Sequence, residues 1–128
     1  MIEICSIGGY GEVGKNMTAV KSGDDAVILD MGFYLPAIID FEEGGGDRKT
    51  LNKESLVKIG AIPNDDIISS WASSAKAIVL GHAHLDHIGA VPILAKKYKA
   101  PVIGSPYTIE VLKSMMYEDN LDIRNEIK

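Results

Sequence analysis

The four apolar residues Ala77-Ile78-Val79-Leu80 lead straight into a histidine-rich segment, and residues from Ile88 to Lys97 then repeat at helical spacing. A short, wholly apolar run of this kind reads as a buried strand. A buried strand that feeds a helix through a functional loop is the working unit of α/β layered folds, and it restricts the architecture more than any other feature of the chain.

The remaining segments agree with that unit. A strand is expected over about 2–7, and a glycine-rich turn over 8–16. Met17–Lys21 and Ala26–Asp30 read as two strands joined by Ser22-Gly23-Asp24-Asp25, which has hairpin chemistry. Gly32 to about Thr50 is expected to be a long loop, unusual in a compact domain, with Glu42-Glu43-Gly44-Gly45-Gly46-Asp47 as its flexible acidic part. A short helix over about 53–59, a turn at Pro63-Asn64 and a helical turn near 65–70 follow. After the metal-type segment come a helix over Ile88–Lys97, a strand over Pro101–Gly104, and a helix that Ser105 caps and Pro106 opens, running to about Tyr117. Paired strands followed by β-helix alternation give an α/β fold.

All three histidines of the chain lie in His82-Ala83-His84-Leu85-Asp86-His87. In an extended loop, residues two apart point the same way, so His82 and His84 can reach one metal ion together. If the chain turns into a helix at about Ile88, Asp86 and His87 swing toward a second position. Imidazole with carboxylate suits zinc and tolerates manganese or iron. Taken alone, Asp86 would serve equally well as an N-cap, and a lone histidine as an ordinary core or loop residue. Three histidines and a carboxylate at this spacing point to metal.

Gly9-Tyr10-Gly11-Glu12-Val13-Gly14 matches a dinucleotide-binding fingerprint, and Asp30 ends a later strand. It also approaches the phosphate-loop pattern through Gly14-Lys15, but Asn16 stands where Ser or Thr is needed. Both readings require a helix after the loop. Asn16–Asp25 is too short and turn-like for one, so the glycines are expected to let a tight loop pass near the active-site edge. Asp30 reads as a carboxylate that hydrogen-bonds the metal loop, in preference to a plain turn residue before Gly32.

With 128 residues, the chain is long enough for one domain with a real core. No apolar run approaches the roughly 20 residues that span a bilayer. The first residues alternate as a strand and carry no export-signal pattern. Cys5 has no second cysteine to pair with and reads as a buried, inert thiol. A soluble, cytoplasmic protein without membrane contact is expected. The net charge of -5 weighs against a large basic nucleic-acid footprint within these residues, though not against nucleic acid as a substrate. Lys96, Lys97 and Lys99 are expected to complement a helix end.

The run His82-Ala83-His84-Leu85-Asp86-His87 resembles the signature motif of the metallo-β-lactamase fold. Gly8-Gly9-Tyr10-Gly11-Glu12-Val13-Gly14-Lys15-Asn16 is similar to the opening of the β-CASP nucleases, the ribonuclease J family above all. Gly60-Ala61-Ile62-Pro63, Ala77-Ile78-Val79-Leu80 and Pro106-Tyr107-Thr108-Ile109-Glu110-Val111-Leu112 resemble its archaeal branch. The resemblance covers essentially the whole chain.

It implies a four-layer αββα sandwich with an inserted β-CASP domain, of which residues 1–128 would be the N-terminal half of the metallo-β-lactamase domain. It implies a metal-dependent ribonuclease, acting 5′-to-3′ as an exonuclease and in some members as an endonuclease, by a two-metal mechanism. Residue by residue, His82 and His84 would bind the first metal, and Asp86 and His87 the second. Zinc is the expected ion, two in the full enzyme, with manganese as the alternative. Asp86 would also be catalytic, orienting the attacking water or helping to take its proton, and Asp30 corresponds to the aspartate that ends an early strand. The family's remaining ligands come later in the polypeptide, and no histidine follows His87 here. The chain is therefore expected to be an incomplete, inactive fragment. Its expected partners are RNA and either a second copy or the missing part of the same enzyme. Two rival readings are a small-molecule hydrolase of the same fold, of thioesterase or lactamase type, and a non-catalytic structural or RNA-binding piece.

Overall fold

The computed structural model describes residues 1–128. One mixed sheet of five strands organises it: β1 (Ile2–Gly8), β2 (Met17–Ser22), β3 (Asp25–Leu29), β4 (Ala75–Leu80) and β5 (Val102–Gly104), arranged in sequence order. β1, β2 and β3 run antiparallel, with Gly23 turning the β2–β3 hairpin in the left-handed region (φ 60°). β3, β4 and β5 run parallel. Residues 17–22 are therefore a strand where a dinucleotide or phosphate loop would need a helix, and both nucleotide readings fall.

Register assigns the faces. Cys5, Ala19, Ile28, Ile78 and Val102 stand side by side across the sheet. Ala19, Ile28, Ile78 and Val102 are completely buried, while Cys5 is only half-buried, so the expected buried thiol is not found. This face carries the helical layer, whose Ile88, Val91, Leu94, Tyr98, Leu112 and Met116 join the same core. The opposite face is formed by Ile2, Ile4, Val20, Val27, Leu29, Ala77, Val79 and Ile103. It is apolar yet half-buried or exposed throughout, with Ile4 70% exposed.

The expected long loop after Gly32 contains a helix, α1 (Leu35–Glu43), followed by a single 3-10 turn at Arg48–Thr50. Pro36 in its first turn is a start signal rather than a breaker, and Gly44 ends it. Arg48 returns to Glu42 through two hydrogen bonds of 3.1 and 2.7 Å, closing the acidic segment on itself. α2 (Lys53–Lys58) has Asn52 as its cap. The single helix expected over Ile88–Lys97 is instead three pieces, α3 (Leu85–Ile88), α4 (Val91–Leu94) and a 3-10 turn at Ala95–Lys97. Pro92 lies in the first turn of α4, where its missing N–H costs nothing. α5 (Pro106–Glu118) has the expected Ser105 cap, whose hydroxyl accepts from the Thr108 N–H at 3.2 Å. Residues 126–128 pair with the outer edge of β5 through three backbone bonds. No helix is long and apolar enough to cross a membrane.

Candidate metal centre

β3 and β4 lie side by side and end together, so Asp30 and Gly81 emerge at the carboxyl edge of the parallel strands. That edge is where α/β sheets place ligands. Asp30 adopts a left-handed conformation (φ 65°), which Asp tolerates better than most side chains. Its Oδ1 accepts the Gly81 N–H at 2.8 Å, and its Oδ2 lies 2.9 Å from His87 Nδ1. Asp30 thus turns the chain and also holds the metal-type loop, so both sequence readings of it apply.

α3 begins at Leu85, three residues earlier than expected, with His84 as its extended N-cap (ψ 155°). Asp86 is consequently in the first turn and is not the cap. His82 and His84 precede the helix and are exposed, whereas Asp86 and His87 are half-buried. His82 Nε2 and His84 Nδ1 face each other at 3.0 Å, with ring centroids 4.0 Å apart. The His87 ring centroid is 5.3 Å from that of His82. Asp86 Oδ2 is 3.5 Å from His87 Nε2. The four residues singled out from the sequence therefore lie in one patch, His82 beside His84 and Asp86 beside His87.

The chemistry of these donors fits a cation. Two imidazole nitrogens at 3.0 Å can share only one proton, and each neutral ring otherwise directs a lone pair at its neighbour. An ionised Asp30 only accepts, so His87 Nδ1 must donate to it. The other ring nitrogen, Nε2, then faces the Asp86 carboxylate at 3.5 Å. Two pairs of nitrogen and oxygen donors, set at the open end of a sheet, are of the kind that a divalent ion takes. No three histidine, cysteine or carboxylate side chains converge to hold an ion by themselves, so each pair needs further ligands.

The residues that the sequence did not single out for this site are Asn16 and Gly32, which border the Asp86 backbone. Asn16 closes the glycine-rich segment that resembles the β-CASP opening, and Gly32 stood only as the start of an expected loop. Asp30→Asn is expected to weaken divalent-metal binding about 10- to 100-fold, because the amide can donate to the imidazole and release its tautomer. Calorimetric titration checks this; an unchanged affinity would show that the orientation of His87 does not depend on Asp30.

A family model described as the metallo-beta-lactamase superfamily matches residues 72–114, the stretch that contains all four candidate ligands. The chain is 48% identical over 127 residues to ribonuclease J of Methanocaldococcus jannaschii, covering 98% of this chain and 28% of that protein. It is 43% identical over 129 residues to ribonuclease J of Pyrococcus abyssi, covering 99% of this chain and again 28% of the relative. The chain thus spans little more than a quarter of the length of these relatives. Human tRNase Z, short form, shares the fold with a TM-score of 0.51 at 14% identity, over 99% of this chain and 44% of that one. The fold, the matched histidine run and these relatives together show a metallo-β-lactamase fold that is ribonuclease J-like.

Proposed function

We propose that this chain supplies one half of the metal centre of an RNA phosphodiesterase that releases nucleotides from the 5′ end, with endonuclease action as a secondary activity. The observation that carries the reading is the pair of facing donor sets, His82 with His84 and Asp86 with His87, at the carboxyl edge of a parallel sheet. Similarity to two archaeal proteins named ribonuclease J supports RNA as the substrate. His82 and His84 would hold one ion, and Asp86 and His87 the other, with zinc favoured by the nitrogen-rich donors and manganese as the alternative. Such ions supply an activated water at neutral pH and neutralise the charge that develops on the phosphate. Within the chain, Asp30 keeps His87 in the tautomer that leaves Nε2 free, and Asp86 orients the attacking water or accepts its proton. A cytoplasmic location fits an RNA substrate.

The test uses the product of the full reading frame that contains these residues. Chelation is expected to abolish cleavage of 5′-monophosphorylated RNA, and zinc or manganese to restore it with mononucleotide products. Metal-independent cleavage, or turnover of thioesters or lactams in place of RNA, overturns the reading. Residues 1–128 alone are expected to be inactive, since neither donor pair is complete.

The same reading extends to partners. We assign the apolar sheet face of Ile2, Ile4, Val20, Val27, Leu29, Val79 and Ile103 to a second layer of the same domain, residues 1–128 being one part of it. Covering an apolar patch of about 400 Å² contributes on the order of 10 kcal/mol before the entropy of association is counted. The isolated 128 residues are therefore expected to self-associate at micromolar concentration and to bind a hydrophobic dye. Sedimentation of the parent beside Ile4→Lys checks this; a monomeric parent without dye binding would show that the face tolerates water.

A further inference from the structure

The glycine-rich segment matches no nucleotide-binding role, yet it lies against the metal-type run. α3 stops after one turn because its carbonyls are bonded sideways. In a continuing helix the Asp86 carbonyl would accept from the Ala90 N–H, but that N–H donates to the Met31 oxygen at 2.9 Å. The His87 carbonyl accepts instead from Met31 N–H at 2.9 Å, and Leu85 accepts from Phe33 N–H at 2.8 Å as well as from Gly89. The Asp86 carbonyl is left to residue 16. Asn16 donates to it twice, from its backbone N–H at 3.1 Å and from Nδ2 at 2.9 Å.

The loop is built to deliver Asn16 there. Gly32 N–H donates to the Asn16 carbonyl at 3.1 Å, and Lys15 N–H to the Phe33 carbonyl at 2.8 Å, so residues 15–16 run between the 30–34 segment and the metal loop. A Cβ on Gly32 would fall 1.6 Å from the Asp86 carbonyl oxygen and 2.9 Å from Asn16 N. A Cβ on Gly8 would meet the Lys15 carbonyl at 2.1 Å, and Gly9 (φ +90°) lies against the Asn16 side-chain oxygen. Three segments far apart in sequence thus touch at one peptide, with glycines wherever a side chain would force them apart.

We propose that the Gly8–Asn16 loop is a clamp on the metal-ligand run and that Asn16 is a positioning residue, fixing the Asp86 peptide so that the Asp86 and His87 side chains stay paired. The proposal rests on the metal reading above, but it specifies a part of the chain that holds no ligand. Nothing in it requires Asn16 to touch metal or substrate.

The test is made on the full reading-frame product, with cobalt(II) as the probe. Asn16→Asp keeps the shape but sets an acceptor against an acceptor. It is expected to weaken cobalt binding at least 10-fold and to alter the visible d–d band. Asn16→Ala should act in the same direction. Gly32→Ala, which pushes on the same carbonyl from the other side, should do so more strongly. Asn52→Ala, which removes the α2 cap remote from the site, is the control for general destabilisation and should leave the band unchanged. Cobalt affinity and band both unchanged in Asn16→Asp, with the parent binding normally, overturn the clamp and leave the metal reading standing. If the parent takes up no cobalt, the metal reading fails instead. The clamp is then judged in the metal-free protein by amide hydrogen exchange. Asn16→Ala should speed exchange at Met31, Phe33 and Ala90 by 10-fold or more, and unchanged rates there overturn it.

Discussion

Asp86→Ala is expected to lower RNA hydrolysis by about 10²- to 10⁴-fold in the full reading-frame product, the usual range for losing a positioned acid–base group. The fold should barely register the change. The Asp86 side chain is one-third exposed (33%) and makes no contact that the core needs. Its backbone carbonyl, the atom that Asn16 holds, is kept by alanine. Alanine also suits the first turn of a helix. Stability should therefore stay within about 0.5 kcal/mol of the parent, as for most surface substitutions. Asp86→Asn separates two roles, since it keeps the size and removes the charge and the proton acceptor. Single-turnover rates on 5′-labelled RNA, measured with thermal melts of the same samples, check both halves. A rate within a few-fold of the parent would remove Asp86 from the chemistry.

The largest loss of stability is expected far from that site, at Asp65. This carboxylate is completely buried. Its Oδ2 accepts the Tyr98 hydroxyl at 2.7 Å and faces Lys97 Nζ at 3.6 Å. Its Oδ1 faces Lys53 Nζ at 3.0 Å without a well-directed hydrogen bond. Lys97, which the sequence suggested as a helix-end charge, is thus an internal partner. Asp65→Ala leaves a buried phenol without an acceptor and two ammonium groups without their shared counter-ion. Removing one member of a buried ion pair costs about 3–5 kcal/mol. Both lysines are partly exposed and keep Asp66 within 4 Å, so the lower half of that range is expected. A fall in Tm of about 10 °C follows for a domain of this size, and a melt shifted by only a degree or two would contradict the argument.

Tyr98 adds a pH signature. Burial first, and then the hydrogen bond to Asp65, hold its phenol well above the ordinary tyrosine range. A group whose folded pKa is raised contributes fully below its unfolded value, about 10, and loses that contribution as pH climbs beyond it. The parent should therefore lose stability steadily above about pH 10, and Tyr98→Phe should lose less of it over the same interval. Parallel urea-denaturation curves for the two proteins between pH 8 and 11 would refute the assignment.

Much of this molecule could be read along the chain. The strands at 2–7 and 77–80, the Gly23 hairpin, the Ser105-Pro106 helix start and the pairing of His82 with His84 all depend on neighbours within a few residues. Alternation, a capping hydroxyl and ligand spacing are local, so local chemistry reports them. The misreadings were local conflicts decided elsewhere. Glycines and acidic residues at 42–47 argued for a loop, but Ile38 is buried in the core and that burial carries α1 up to Glu43. The smooth helical pattern of 88–97 broke because the carbonyls of Asp86 and His87 found partners in other segments.

The sequence by itself determined the histidine-aspartate run, the superfamily resemblance and the alternation of the strands, since each is written in side-chain type and spacing. Only the tertiary structure decided which distant segments meet that run. Asp30 reaches His87 across 57 positions, and Asn16 reaches Asp86 across 70. Those meetings follow from β3 lying beside β4 and from the backbone bonds that draw residues 15–16 and 30–34 under α3. Strand order is a sum of many weak packing terms over the whole sheet, and no short stretch of sequence contains it.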